Sequence, residues 1–191
     1  VQRVLPYDLS SVLQLKADAF DTVSNFEKVP GLCALADSIN AWKRLGFRFD
    51  AASGEAKAYD GCERVFTLCK DPAAKKSHTE SWQKLLMDII GAPWTGQEYV
   101  LGYAPKAAAT YAIGFNHIVG PKWPTKAWPE AHWKHQETLL GGSASISWQK
   151  GLNNLYDYIE WVQSCRTLIT SDSLGLHIAL ALKKPVIVLY G

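Results

Sequence analysis

Apolar residues recur in this chain with two alternating periods, one suited to helices and one to buried strands. Ser10–Ala19 has helical spacing, and Phe20–Phe26 has the apolar density of a buried strand. Leu32, Leu35, Ile39, Trp42 and Leu45 follow at steps of three and four, with Pro30 at the start and Gly46 just past the end. That spacing predicts an amphipathic helix over 30–45. Phe47–Tyr59 is weakly patterned and reads as an excursion or a hairpin. Ser77-His-Thr-Glu80 has the form of a capping box, opening a helix whose apolar face is Trp82, Leu85, Leu86, Ile89 and Ile90. Gly91 is placed to end it.

The Pro/Ala-rich stretch 104–109 marks a linker, dividing the chain into residues 1–105 and 106–191. Beyond it the pattern predicts a strand over Thr110–Phe115, a loop carrying Lys126, and a helix with Pro129 at its first position. A strand near Ile146–Gln149 and a helix over Leu155–Cys165 come next. A strand (Thr167–Thr170), a polar turn, a helix (Leu174–Lys183) and a strand (Val186–Tyr190) close the chain. Such alternation implies an α/β fold with parallel sheets covered on both faces.

With 191 residues, 48% hydrophobic, there is enough chain for one large or two small cores. A formal charge of +2 without basic runs argues against a nucleic-acid binder. Lys75-Lys76 and Lys183-Lys184 read as solvated faces, and no apolar run reaches membrane-spanning length. Four cysteines (Cys33, Cys62, Cys69, Cys165) have no Cys-x-x-Cys pairing and no histidine at metal spacing. Free thiols in a reducing compartment are the expectation. Val1 and Gly191 read as cut ends.

The candidate chemistry lies in the second half. Ser171-Asp172-Ser173 opens a helix, where a hydroxyl or carboxylate can cap free backbone N–H groups. The same N–H groups, at the positive end of the helix dipole, can instead hold a diphosphate, and Lys126 lies on a loop able to reach it. Ligands of open parallel sheets bind at the carboxyl ends of strands, where both loops belong. From spacing alone, a simple cap and an ordinary surface lysine are the favoured explanation of these residues. His177, flanked by Leu176 and Ile178, fits a hydrogen-bonded core histidine as well as a ligand contact.

At Lys126-x-Trp128-Pro129, and at Asp172-Ser173-x-x-x-His177-x-Ala-x-Ala-Leu-x-x-Pro185 running into a strand, the chain resembles the heptosyltransferase-like family 9 glycosyltransferases. Weaker similarity extends through Phe20–Lys28 and Arg44-Leu-Gly46-Phe47. The resemblance implies a GT-B fold of two Rossmann-like domains, both incomplete here, with acceptor side first and donor side second. It implies that Lys126 neutralises the departing diphosphate, that the N–H groups of Ser173, Leu174 and Gly175 cradle it, and that Asp172 orients the turn or touches the donor sugar. It places His177 in support of the phosphate site and Asn153 and Asn154 at the base pocket.

The implied reaction is inverting, metal-independent transfer of a heptose-like sugar from a nucleoside diphosphate, possibly ADP-heptose, to a lipopolysaccharide or other surface-glycan acceptor. No cofactor or metal is expected, since no Asp-x-Asp occurs. The general base has no counterpart here and is expected upstream of Val1, so no catalytic residue is assigned. A cytoplasmic location, peripheral at the inner membrane, goes with the family. Two departures stand out: Leu174 occupies a position where the family often has Gly, and the stretch 143–150 has no carboxylate to contact a ribose. The base therefore stays open. A non-catalytic nucleotide- or glycan-binding protein of the same fold is the chief rival. A nucleotide-sugar epimerase would need more acid/base residues, and a dinucleotide-dependent oxidoreductase would need a Gly-x-Gly-x-x-Gly after a strand.

Overall fold

A computed structural model describes residues 3–151 and 153–190; Val1 and Gly191, the two ends read as cut, lie outside the described residues. The chain divides into two compact units, Val1–Gly96 and Gln97–Gly191.

The first unit runs α1 (Leu9–Ala17), β1 (Ala19–Asn25), α2 (Pro30–Ser38), β2 (Asn40–Asp50), β3 (Glu55–Ala58), α3 (Glu63–Lys70), α4 (Pro72–Ser77) and α5 (Trp82–Ile90). β1 and β2 are parallel, whereas β2 and β3 form an antiparallel hairpin across the weakly patterned stretch. Its core gathers Cys33, Phe47, Cys62, Val65, Leu85 and Ile89.

The helix expected over 30–45 stops at Ser38. Ile39 turns extended, and Asn40–Gly46 pair with Ala19–Asn25 of β1. Periodicity persisted past the true end because strand residues happened to fall at helical steps. Backbone pairing with β1 decides the outcome. Trp42, expected as a helix-packing anchor, lies on this strand and is 92% exposed. Gly46 does not end a helix but sits in β2 with φ +90°, where a Cβ would fall 1.9 Å from the Asn25 carbonyl oxygen. Only glycine permits that approach.

The capping box is displaced by four residues. Ser77 ends α4, its hydroxyl donating back to the Ala73 and Ala74 carbonyls. Ser81 caps α5 instead, accepting from the Lys84 N–H at 3.3 Å. Glu80 is engaged by Arg64 and Lys84. Gly91 does end α5, in the left-handed region.

The second unit runs β4 (Tyr111–Asn116), a 3₁₀ turn (Pro124–Lys126), α6 (Glu130–Leu140), β5 (Ile146–Trp148), α7 (Leu155–Ser164), β6 (Cys165–Ser171), α8 (Leu174–Ala181) and β7 (Val186–Leu189). The strands are all parallel, in the order β5-β4-β6-β7. Successive residues of β4 point to opposite faces of the sheet. Phe115 meets Trp133 of α6 at 5.2 Å, whereas Asn116 bonds Tyr158 of α7, so α6 and α7 cover opposite faces. α8 joins α7 over a core of Tyr158, Ile159, Val162, Leu168, Ile178 and Ala179. β4 leads toward β5 and β6 toward β7, so the strand order reverses between β4 and β6. The loops after these two strands flank a topological switch point, where α/β sheets bind ligands.

The stretch 104–109 is not a loose linker. Glu160 of α7 accepts from the Lys106 and Ala107 N–H groups at 3.0 and 2.7 Å and from the Tyr103 hydroxyl. Tyr103 first, then these N–H groups, hold the Glu160 carboxyl below the ordinary carboxylate range. A carboxyl depressed by folding contributes its full stability above its unfolded pKa and loses it as pH falls through the depressed folded value. The strap should therefore be anchored at neutral pH and released in acid. Amide exchange at Ala107, corrected for intrinsic pH dependence, is expected to rise there, and already at pH 7 in Glu160→Ala. Equal protection in the variant at pH 7 would overturn the assignment.

Lys184 is not a solvated-face lysine; its ammonium is half-buried and donates to the Gln163 and Cys165 carbonyls at 2.6 and 2.8 Å. All four cysteines are free thiols. Among the described residues, no helix is long and apolar enough to cross a membrane.

Candidate functional site at the switch point

The turn after β6 is held from below. Asn116, fully buried at the end of β4, donates to Thr170 Oγ1 at 2.6 Å and to Ser173 Oγ at 3.0 Å, and accepts from the Tyr158 hydroxyl at 2.8 Å. Ser173 is the N-cap residue of α8 by position, but its side chain makes no capping hydrogen bond. Its hydroxyl is drawn inward by Asn116 instead. Asp172 does not cap the helix either: its Oδ2 pairs with Lys126 Nζ at 2.7 Å, and its backbone carbonyl accepts from the same ammonium at 3.1 Å. The simple-cap explanation of Asp172 and Ser173 is therefore not what the chain does. The first turn of α8 opens without a side-chain cap, beside a lysine.

Lys126 reaches this place because the 3₁₀ turn Pro124–Lys126 folds the long loop after β4 back over the sheet edge, closed by the Lys126 N–H donating to the Trp123 carbonyl at 3.1 Å. Gly120, Lys122, Trp123 and Lys126 from this loop face Asp172, Ser173, Leu174 and His177 across a cleft of about 450 Å³. Lys126 and Asp172 retain 33% and 35% of their side-chain exposure, so a solute can reach them. An ion pair that exposed is worth about 0–1 kcal/mol, whereas a hydrogen bond to a charged group contributes about 1.5–3 kcal/mol. An entering polyanion can therefore take over Lys126 at small cost.

Of the residues singled out in the sequence, Lys126, Asp172, Ser173, Leu174 and His177 line this one cleft. Gly175 is buried beneath it, and a Cβ there would sit 2.4 Å from Asn116 Nδ2 and 2.5 Å from the Tyr158 hydroxyl. Its place in the motif has a packing cause: α8 lies directly on the Asn116–Tyr158 pair. Asn153 and Asn154 line a separate cavity of about 240 Å³ after β5, with Gln149, Asp157 and Trp161. Asn154 also caps α7, accepting from the Tyr156 N–H at 2.8 Å.

His177 is not a core histidine. It is exposed, lines the cleft, and its Nδ1 lies 3.1 Å from the Tyr99 hydroxyl. Trp123 lines the cleft, whereas Trp128 is stacked on His132 at 5.2 Å and packs edge-on against Trp133. Trp148 ends β5, within the expected strand, packs on Phe115 and donates to Glu137 at 2.8 Å. Trp133 is a buried anchor of α6, whereas Trp82, on the expected apolar face of α5, is half exposed. Tyr158 and Tyr99 carry no local sequence signal for the site; for Asn116 the one hint is its place at a strand end.

Among solved structures, E. coli heptosyltransferase WaaC with ADP matches 95% of this chain and 64% of its own, at 18% identity and a TM-score of 0.61. The fold is of the GT-B type. E. coli heptosyltransferase WaaC with ADP-2-deoxy-2-fluoro heptose matches in the same way, at 18% identity and a TM-score of 0.60, over 95% of this chain and 65% of that one. The chain thus spans a little under two thirds of these proteins. No family model and no curated protein sequence matches it.

Proposed function

We propose that this chain carries the donor site of an inverting, metal-independent glycosyltransferase of the heptosyltransferase-like family 9. The observation that carries the proposal is the placing of Lys126 beside the uncapped first turn of α8, in one open cleft at the switch point of a parallel sheet. A lysine and a helix N-terminus together stabilise the negative charge that develops on a departing diphosphate. The solved structures of like fold were determined with ADP and an ADP-heptose analogue. ADP is therefore the first nucleotide to try, with a heptose-like sugar as donor group. The first unit would serve a lipopolysaccharide or other surface-glycan acceptor, at the cytoplasmic face of the membrane.

Among the described residues, Asp172 is the one carboxylate lining the cleft, and Lys126 engages it. A general base for the acceptor hydroxyl is thus not found in the cleft. This favours keeping a second reading, a nucleotide-binding protein that does not transfer. Calorimetric titration of the chain with ADP, GDP, UDP and CDP tests the donor site. Saturable binding of one nucleotide supports it, and no binding of any by a folded sample sinks it. Transfer from the matching nucleotide sugar by the full-length protein separates enzyme from binding module.

A further inference from the structure

The strap that opens the second unit is fastened to the helix that begins at the cleft. Glu98 pairs with Lys183 just past the end of α8 at 2.8 Å, and Glu160 secures residues 106 and 107. Between these anchors the Tyr99 hydroxyl meets His177 Nδ1 at 3.1 Å, with the two rings 5.6 Å apart and tilted by 50°. His177 lies one helical turn beyond Ser173 and lines the same cleft as Lys126.

A neutral imidazole carries a single N–H, and which nitrogen holds it is set by what the other nitrogen bonds. If the phenol donates to Nδ1, the proton resides on Nε2, and Nε2 becomes a fixed hydrogen-bond donor. We propose that Tyr99 is a positioning residue for the donor site: it fixes the tautomer and ring setting of His177, so that Nε2–H is offered to an anionic oxygen of a nucleoside diphosphate. This rests on the diphosphate reading of the cleft. Tyr99 touches no ligand itself. It acts from the strap, through its contact with His177.

Tyr99→Phe keeps the ring contact and removes the hydroxyl, which makes it a mild variant. Two measurements at pH 8 decide the proposal. The ring ¹⁵N shifts of His177 are expected to report mainly the Nε2–H tautomer in the native chain and a mixture in Tyr99→Phe. ADP affinity, by calorimetry, is expected to fall about fivefold in Tyr99→Phe, with no additional fall when the same change is made in His177→Ala. Unchanged ring shifts overturn the proposal, as does a full fivefold loss in the His177→Ala background. If the native chain binds one of GDP, UDP and CDP rather than ADP, that nucleotide replaces ADP in the affinity measurement. If it binds none of the four, the diphosphate reading fails. The ring shifts then still show, by changing or not, whether Tyr99 positions His177.

Discussion

Lys126→Ala is expected to weaken nucleoside diphosphate binding by roughly ten- to a hundredfold, the loss of a charge-assisted hydrogen bond of about 1.5–3 kcal/mol. Two effects add. The variant loses the ammonium that the anion would recruit, and it leaves the Asp172 carboxylate, now paired at 2.7 Å, without its counter-ion at the mouth of the cleft. A bare carboxylate there repels a diphosphate. Because both groups are about a third exposed, the repulsion is screened and part of the loss should fade at high salt. Neither side chain belongs to a core, so the variant should unfold at the same denaturant concentration as the native chain. Calorimetry with ADP, beside a denaturation curve, separates lost binding from lost folding, and its salt dependence separates the two effects. Equal affinity in a folded variant would mean that the anion does not use Lys126, and the donor-site proposal would lose its main support.

Gly175→Ala is expected to cost the second unit about 2–4 kcal/mol, adding overpacking to a broken buried hydrogen bond. The new methyl would sit 2.4 Å from Asn116 Nδ2 and 2.5 Å from the Tyr158 hydroxyl. Neither neighbour can yield cheaply. Asn116 is fully buried and held by Thr170, Ser173 and Tyr158 together, while Tyr158 is wedged into the core of α7 and α8. Burial raises the Tyr158 pKa to about 12, although its bond to Asn116 works against that rise, so the hydroxyl stays a donor at neutral pH. Relief requires α8 to lift from the sheet, which also moves the turn that bears Asp172 and Ser173. Urea denaturation followed by amide exchange in α7 and α8 should show the loss. Gly31→Ala is the control, since a Cβ there meets nothing within 4 Å. Equal stability of Gly175→Ala and the native chain would contradict the packing described here.

The local sequence by itself determined the alternation of strands and helices in the second unit, nearly to the residue. There each apolar run is bounded by a turn or capping signal, and helices cover both faces of the sheet. It also determined that Lys126, Asp172, Ser173 and His177 fall on loops and a helix start at strand ends, so a parallel sheet gathers them at one edge. In the first unit, spacing alone could not tell the end of α2 from the start of β2. The residues at helical steps beyond Ser38 are claimed by backbone pairing with β1, a partner about twenty positions away. Tertiary structure also decided what each polar side chain binds. Ser173 could have capped α8, yet Asn116, 57 residues earlier, takes its hydroxyl. Asp172 could have capped the same turn, yet Lys126 takes its carboxylate. Tyr99 meets His177 across 78 residues. The reason is physical: periodicity records which side of an element is buried, while hydrogen-bonding groups are satisfied by whichever partner the packed chain brings within hydrogen-bond reach.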